Sequence, residues 1–253
     1  KTKTFPLFAP NCDYTDDTIM TVAVAKAIML SRQEQYEKNG SGKGFQEFLV
    51  ETMQEFGRKY PHPTGAYGVR FSQWLRQNHP SPYGSYGNGS AMRVSPCGLY
   101  AASLAEALEL AKASAEVTHN HPEGIKGAQA IASAIFLARQ HQPKESIREY
   151  IARQFDYDMD RSCDSIRPDY EFDVTCQGSC PEAIIAFLDS RDFEDAIRLA
   201  VSLGGDADTI GAMTGGIAAA YYGIPEDIAL TALGYLPDEF IEVLTRFNNA
   251  VNK

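Results

Sequence analysis

A chain of 253 residues with 44% apolar and 22% charged side chains has ordinary globular composition, far from the weakly hydrophobic, highly charged corner where chains stay disordered. Its 23 basic and 33 acidic residues leave a formal charge of −10, which repels a nucleic-acid backbone or an anionic membrane surface and disfavours both as partners. The apolar stretch 209–225 is diluted by glycine and shorter than the roughly 20 residues that span a bilayer, so no membrane partner is expected. With no leader-like start and five unevenly spaced cysteines, the reducing cytoplasm is the expected compartment.

In chain order, apolar residues three and four apart predict helices over 19–30, 45–56, 99–115, 128–139, 181–188, 193–203, 210–222 and 240–251. Alternating β-branched runs are nearly absent; 69–71 and 172–175 are the two short strand candidates. Residues 60–70 and 79–98 are rich in Pro, Gly, Ser, Asn and Tyr and read as two long irregular loops, of the kind that is usually functional inside a compact helical domain. Trp74, the one tryptophan, reads as core. His62, His79 and His141 read as exposed. His119 sits before Pro122-Glu123-Gly124, a helix start, and reads as structural or ligand-contacting rather than metal-bound. Asp156, Asp158 and Asp160 mimic the opening of an EF-hand loop, but Arg161 and Arg167 stand where glycine and glutamate are needed, so 156–173 reads as a solvated acidic segment. Cys176 and Cys180 have no second cysteine pair or nearby histidine to complete a zinc site. Pro181-Glu182 reads as the first turn of the helix that follows. No linker or repeat divides the chain, so one all-α domain is expected. No heptad pattern calls for obligate assembly, and a monomer is expected.

Two similar strings lie far apart: Thr15-Asp16-Asp17-Thr18 before the first helix, and Gly205-Asp206-Ala207-Asp208-Thr209 before the helix at 210–222. Either alone is an ordinary N-cap. Each, however, holds more carboxylates than a cap requires, and Gly204-Gly205 lets the backbone turn closely into the second string. Four carboxylates brought together repel unless a cation intervenes. Hard oxygen donors without histidine or thiolate favour Mg²⁺, Mn²⁺ or Ca²⁺, and two such ions can supply an activated water or polarise a substrate oxygen. Ser85-Tyr86-Gly87-Asn88-Gly89-Ser90 offers small residues, hydroxyls and backbone N–H groups suited to a phosphate nest, although glycine-rich loops also serve simply as turns.

Together, Tyr14-Thr15-Asp16-Asp17-Thr18, Gly87-Asn88-Gly89-Ser90-Ala91-Met92-Arg93, Thr118-His119 through Gly127-Ala128, Gln177-Gly178-Ser179 and Ser202 through Ile210 make the sequence resemble the ADP-ribosylglycohydrolases. The resemblance implies an orthogonal helical bundle with a binuclear Mg²⁺ or Mn²⁺ site, hydrolysing the bond between ADP-ribose and an acceptor such as a protein arginine or serine. It implies Thr15, Asp16, Asp17, Asp206, Asp208 and Thr209 as metal ligands and Asp16 or Asp17 as general base. The loop of Ser85, Tyr86, Gly87, Asn88 and Gly89 would hold the diphosphate, with Met92 beside it. His119 would contact the distal ribose or phosphate, and Gly65, Tyr67 and Gly68 would border the substrate. A free conjugate such as O-acetyl-ADP-ribose as substrate, or a non-catalytic ADP-ribose-binding or crystallin-like protein on the same scaffold, are the alternatives. Family members usually begin with a further helix that ends near an acid involved in acceptor recognition. This sequence starts past that point, at Lys1-Thr2-Lys3, which leads one to expect an incompletely covered first helix.

Overall fold

The computed structural model describes residues 1–36 and 42–251. Among them fourteen helices follow one another: α1 (Asp16–Tyr36), α2 (Phe45–Lys59), α3 (Val69–Leu75), α4 (Gly89–Met92), α5 (Ser95–Tyr100), α6 (Leu104–Glu116), α7 (Pro122–Arg139), α8 (Lys144–Phe155), α9 (Cys163–Ile166), α10 (Cys176–Asp189), α11 (Phe193–Leu203), α12 (Ala207–Tyr222), α13 (Glu226–Leu233) and α14 (Asp238–Val251). The all-α architecture is as the apolar spacing predicts. Extended segments meet in two isolated bridges, Thr15 with Thr64 and Gly87 with Thr175, and both turn out to brace the site.

α7 runs through the centre, packed against α4, α5, α6, α8, α10 and α12. Its buried positions are mostly Gly, Ala and Ser, with Ile131, Ile135 and Phe136 among them, and such small side chains let neighbouring backbones approach. At Gly127 a Cβ would lie 2.5 Å from the Cys176 sulfur of α10, so only glycine fits that crossing. The apolar face of α1 is covered, contrary to the expectation of an incompletely covered first helix: Ile19, Met20, Ala23 and Ala27 have no exposure, because α2, α5, α12 and α14 pack against it.

Several boundaries depart from the sequence reading, each for a local reason. The predicted 99–115 helix is broken at 101–103, where the Ser103 hydroxyl caps α6 by accepting from Glu106 N at 3.1 Å and the Arg139 guanidinium takes the Leu99 and Ala101 carbonyls. Residues 69–71 form no strand; they open α3, because Phe71, Trp74 and Leu75 fall on one helical face and bury together. Trp74 is core as expected, stacked on Phe71 with ring centroids 5.6 Å apart. α7 starts early at Pro122, with His121 as its cap. α10 begins at Cys176 rather than Pro181, capped by Thr175, whose hydroxyl accepts from Gly178 N at 3.1 Å; Pro181 thus lies inside the helix.

The 156–173 segment is not simply solvated. Tyr157 and Met159 alternate inward between exposed aspartates, and Cys163 and Ile166 follow them into the core. All five cysteines are unpaired. Among the described residues no helix is long and apolar enough to cross a membrane.

Candidate active site

The two acidic strings meet. Thr15 precedes α1, its carbonyl accepting the first helical bond from Ile19 N at 3.2 Å. Its hydroxyl donates to Asp17 Oδ2 at 2.8 Å. The second string enters α12 through Gly204 and Gly205, whose φ values of +77° and +66° suit residues without a Cβ. Asp206 stands at the cap position, yet its carboxylate makes no capping bond. It accepts instead from Asn88 Nδ2 at 2.6 Å, and the same amide donates to Ser179 Oγ at 3.1 Å. Gly65 marks where the strings converge: a Cβ there would sit 3.5 Å from Asp208 Oδ2 and 3.7 Å from Asp16 Oδ1. The Thr15–Thr64 bridge holds that loop against α1.

Crowding shows in the electrostatics. Burial, the neighbouring Asp17 and the more distant Asp208 and Asp206 push Asp16 up to about 7. Asp17 rises to about 6, burial and the α12 carboxylates outweighing hydrogen bonds from Thr15 and Thr209. Burial and Asp208 also raise Asp206 against the Asn88 bond. Asp17 Oδ1 is buried with no partner. As the side chains stand, no three His, Cys, Asp or Glu groups among the described residues converge on one point as a ready metal cage; the carboxylates gather as two pairs. The donor chemistry nonetheless fits divalent ions: only oxygens, one of them orphaned, around a space that glycine keeps open.

These carboxylates form one side of a cleft of about 430 Å³, within the range of small-molecule sites. The opposite side is cationic. Arg93, 1% exposed, donates to Gly89 O at 3.0 Å, Ser114 O at 2.8 Å and Thr118 Oγ1 at 2.9 Å. Burial lowers it to about 10, which leaves it charged at neutral pH. Arg70, at the outer edge, lies over the Tyr83 ring, 4.8 Å from its centroid.

Of the residues singled out from sequence, Asp16, Gly65, Gly68, Ser85, Gly87, Asn88, Gly89, Met92, His119, Asp206, Asp208 and Thr209 line this cleft. Thr15 and Asp17 stand behind them. Tyr67 and Tyr86 do not line it. Tyr67 is buried in the core, its ring 5.6 Å from Phe71 and its hydroxyl donating to Tyr60 O at 3.0 Å, while Tyr86 turns out towards His121, 5.2 Å between centroids. The glycine loop is less open to a ligand than its composition implies. Gly87 N donates to Ser85 Oγ at 3.2 Å and Asn88 N to Val174 O at 2.8 Å, so two of its N–H groups are spent within the protein. Arg70, Arg93, Phe172 and Val174 also line the cleft and went unread in the sequence. Arg93 closes the matched Gly-Asn-Gly string and Arg70 follows Gly68-Val69, so adjacency was their one signal. His62, His79 and His141 are exposed, as expected.

A helical chain with an acidic and a cationic wall in one cleft has the layout of an enzyme for a polar, anionic substrate. The family model for ADP-ribosylglycohydrolase matches residues 3–252, and the chain belongs to that family. An uncharacterised protein of Archaeoglobus fulgidus is 31% identical, over 85% of this chain and 73% of its own. ADP-ribosylhydrolase ARH3 of Mus musculus is 26% identical, over 84% and 70%. ADP-ribosylarginine hydrolase Tri1 of Pseudomonas putida is 31% identical, over 60% and 42%. Among solved structures, a chain described as an ADP-ribosylglycohydrolase-related protein complex superposes with a TM-score of 0.64 at 25% identity, covering 94% of this chain and 78% of that one.

Proposed function

We propose that the protein hydrolyses the glycosidic bond between ADP-ribose and an acceptor, reversing ADP-ribosylation, with two divalent ions of the magnesium or manganese kind held by Thr15, Asp16, Asp17, Asp206, Asp208 and Thr209. One observation carries the reading: an uncompensated set of carboxylates faces an uncompensated buried arginine across a single cleft. ADP-ribose matches that polarity, since its diphosphate wants cations and donors, and its ribose hydroxyls want an oxygen-rich centre. When bound, the ions would supply charge neutralisation and Lewis acidity at the ribose end.

The chain's own residues divide the rest of the work. Asp16 faces the cleft, whereas Asp17 is 4% exposed and held by Thr15, so Asp16 is the better placed general base. It takes a proton from water as the water oxygen bonds to the anomeric carbon. The bond from that carbon to the acceptor breaks with its electron pair going to the acceptor atom, which receives the proton. Asn88 fixes Asp206 through its amide and ties the glycine loop to the acidic wall. Ser85 and Arg70 offer donors towards the diphosphate.

The test is release of ADP-ribose from arginine-linked, serine-linked and nucleotide-conjugate substrates, assayed with Mg²⁺, with Mn²⁺ and with chelator. Turnover that vanishes in chelator supports the reading, and the preferred substrate names the acceptor. Equal rates in all three conditions remove the metal assignment. Binding of ADP-ribose without any turnover would make the protein a binder on a hydrolase scaffold.

A further inference from the structure

Arg93 and Thr118 lie in strings that mark the site, and the reaction just described draws on the charge of Arg93 but gives no role to Thr118 or to the bond between them. We propose that they are positioning residues that hold His119 in its Nε2–H tautomer, so that the ring presents one hydrogen-bond donor to an anionic oxygen in the cleft.

The assignment follows from counting protons. A guanidinium has donors only, so the 2.9 Å contact from Arg93 to Thr118 Oγ1 uses the hydroxyl as acceptor. Thr118 is wholly buried, and its oxygen has one other partner among the described residues, His119 Nδ1 at 2.6 Å. The hydroxyl proton therefore has a single acceptor in reach, the Nδ1 lone pair. An imidazole that accepts at Nδ1 and is neutral carries its own proton on Nε2. With the opposite tautomer, Thr118 would be left with a buried proton and no acceptor, a costly arrangement.

Nε2 is also the nitrogen that meets the ligand space. A Cβ on Gly89 would lie 3.2 Å from it; glycine at that position leaves the approach clear, and no described residue accepts from Nε2. The ring's neutrality has a separate cause: burial first, then the positive charges of Arg93 and Arg70, hold His119 well below its ordinary pKa. The Arg93 side chain is itself anchored at the Gly89 and Ser114 carbonyls. It thus spans the C-terminal part of α6, the glycine loop and the Thr118–His119 pair with one rigid planar group.

Only the nature of the anion, the ADP-ribose diphosphate, rests on the function proposed above; the tautomer does not. The test uses the full chain with ¹⁵N-labelled histidine, read by long-range ¹H–¹⁵N correlation without ligand, with His119→Gln to assign the signals. The expected result is an unprotonated Nδ1 and a protonated Nε2 in the wild type and in Thr118→Ser, which keeps the hydroxyl. Thr118→Val, which cannot donate, should show mixed or reversed protonation and bind ADP-ribose roughly tenfold more weakly by calorimetry, and Thr118→Ser should restore affinity. A wild-type ring protonated at Nδ1 overturns the proposal, and so does a folded Thr118→Val with unchanged tautomer and affinity. If Thr118→Val does not fold, the wild-type spectrum still decides. If ADP-ribose does not bind the wild type while Nε2 carries the proton, the functional reading falls and the positioning assignment stands.

Discussion

On one wall of the cleft Asp16, Asp17, Asp206 and Asp208 crowd together, and no lysine or arginine forms an ion pair with them among the described residues. On the other, Arg93 is buried with three neutral acceptors and no carboxylate. Direct pairing of these charges would have made a structural salt bridge of the kind Arg161 forms with the buried Glu182 at 2.7 Å. Held apart across the cleft, each wall keeps a charge that a ligand can answer. The walls also differ in how far they are satisfied. Each leaves one buried atom without a partner, Asp17 Oδ1 and Arg93 Nε, but the acidic wall has raised carboxylates, whereas the rest of the Arg93 guanidinium is wired into two backbone carbonyls and a hydroxyl. The first should respond chiefly to cations, the second chiefly to disruption of its own bonds.

The largest effect expected on the acidic wall is catalytic. Asp16→Asn and Asp206→Asn should each lower metal-dependent turnover by at least about 100-fold, without lowering the unfolding midpoint measured in chelator, because removing a repelling charge costs the metal-depleted fold nothing. Turnover within threefold of wild type in both variants would break the comparison. The cationic wall should behave in the opposite way. Arg93→Leu strands three acceptors and should lower the unfolding free energy by about 2–4 kcal/mol in urea titrations. Arg70→Ala, at an exposed position, should stay within about 0.5 kcal/mol.

The raised carboxylates set a pH signature. In the folded chain Asp16 reaches about 7 and Asp17 about 6, against about 3.9 for an unfolded aspartate. Between about pH 4 and pH 7 the folded state therefore binds more protons than the unfolded state, and stability falls as pH rises through that window. In chelator, the melting temperature should climb by a few degrees as pH is lowered from 7.5 to 5, and saturating Mg²⁺ should flatten or reverse the trend. Depressed carboxylates such as Asp195 beside Arg191 lose their contribution only at lower pH, whereas His119, held below its ordinary value, favours the unfolded state below about pH 6.5 and takes back part of the climb there. A chelated protein that already loses stability between pH 7.5 and about 6.5, above the range where His119 counts, would show that the acidic wall is not strained by its own charge.

What could be read from the sequence follows the same division. The acidic strings were legible because their carboxylates exceed what helix caps need, a local excess visible without any fold. The helical class was legible from period three and four. The cationic wall was not, because its meaning depends on distant partners: Arg93 reads as an ordinary residue after Met92 until Ser114 and Thr118 are placed around its guanidinium. The glycine loop was legible as a loop, but the loss of its N–H groups was hidden, since the partner at Val174 is a separate stretch of chain. The inward alternation of Tyr157 and Met159 was masked by the aspartates between them, and α8 by its charges, with only Ile147, Ile151 and Phe155 buried.

The smallest expected effect tests the rim, where neither wall's charge reaches. Phe172 is 71% exposed and lines the cleft on the segment that the Gly87–Thr175 bridge fixes to the glycine loop. An aromatic side chain so exposed contributes little to folding, and Phe172→Ala should change the unfolding free energy by less than about 0.5 kcal/mol. If ligand fills the cleft to that edge, part of the ring is covered on binding. Covering about 30 Å² of apolar surface at 25 cal/mol per Å² is worth somewhat under 1 kcal/mol, or an affinity about three- to fourfold weaker in the variant. Calorimetry with ADP-ribose and with an ADP-ribosylated peptide separates two placements of that edge. A loss with both ligands puts Phe172 against ADP-ribose itself, and a loss with the peptide alone puts it against the acceptor. No loss with either would confine the ligand to the charged interior between the two walls.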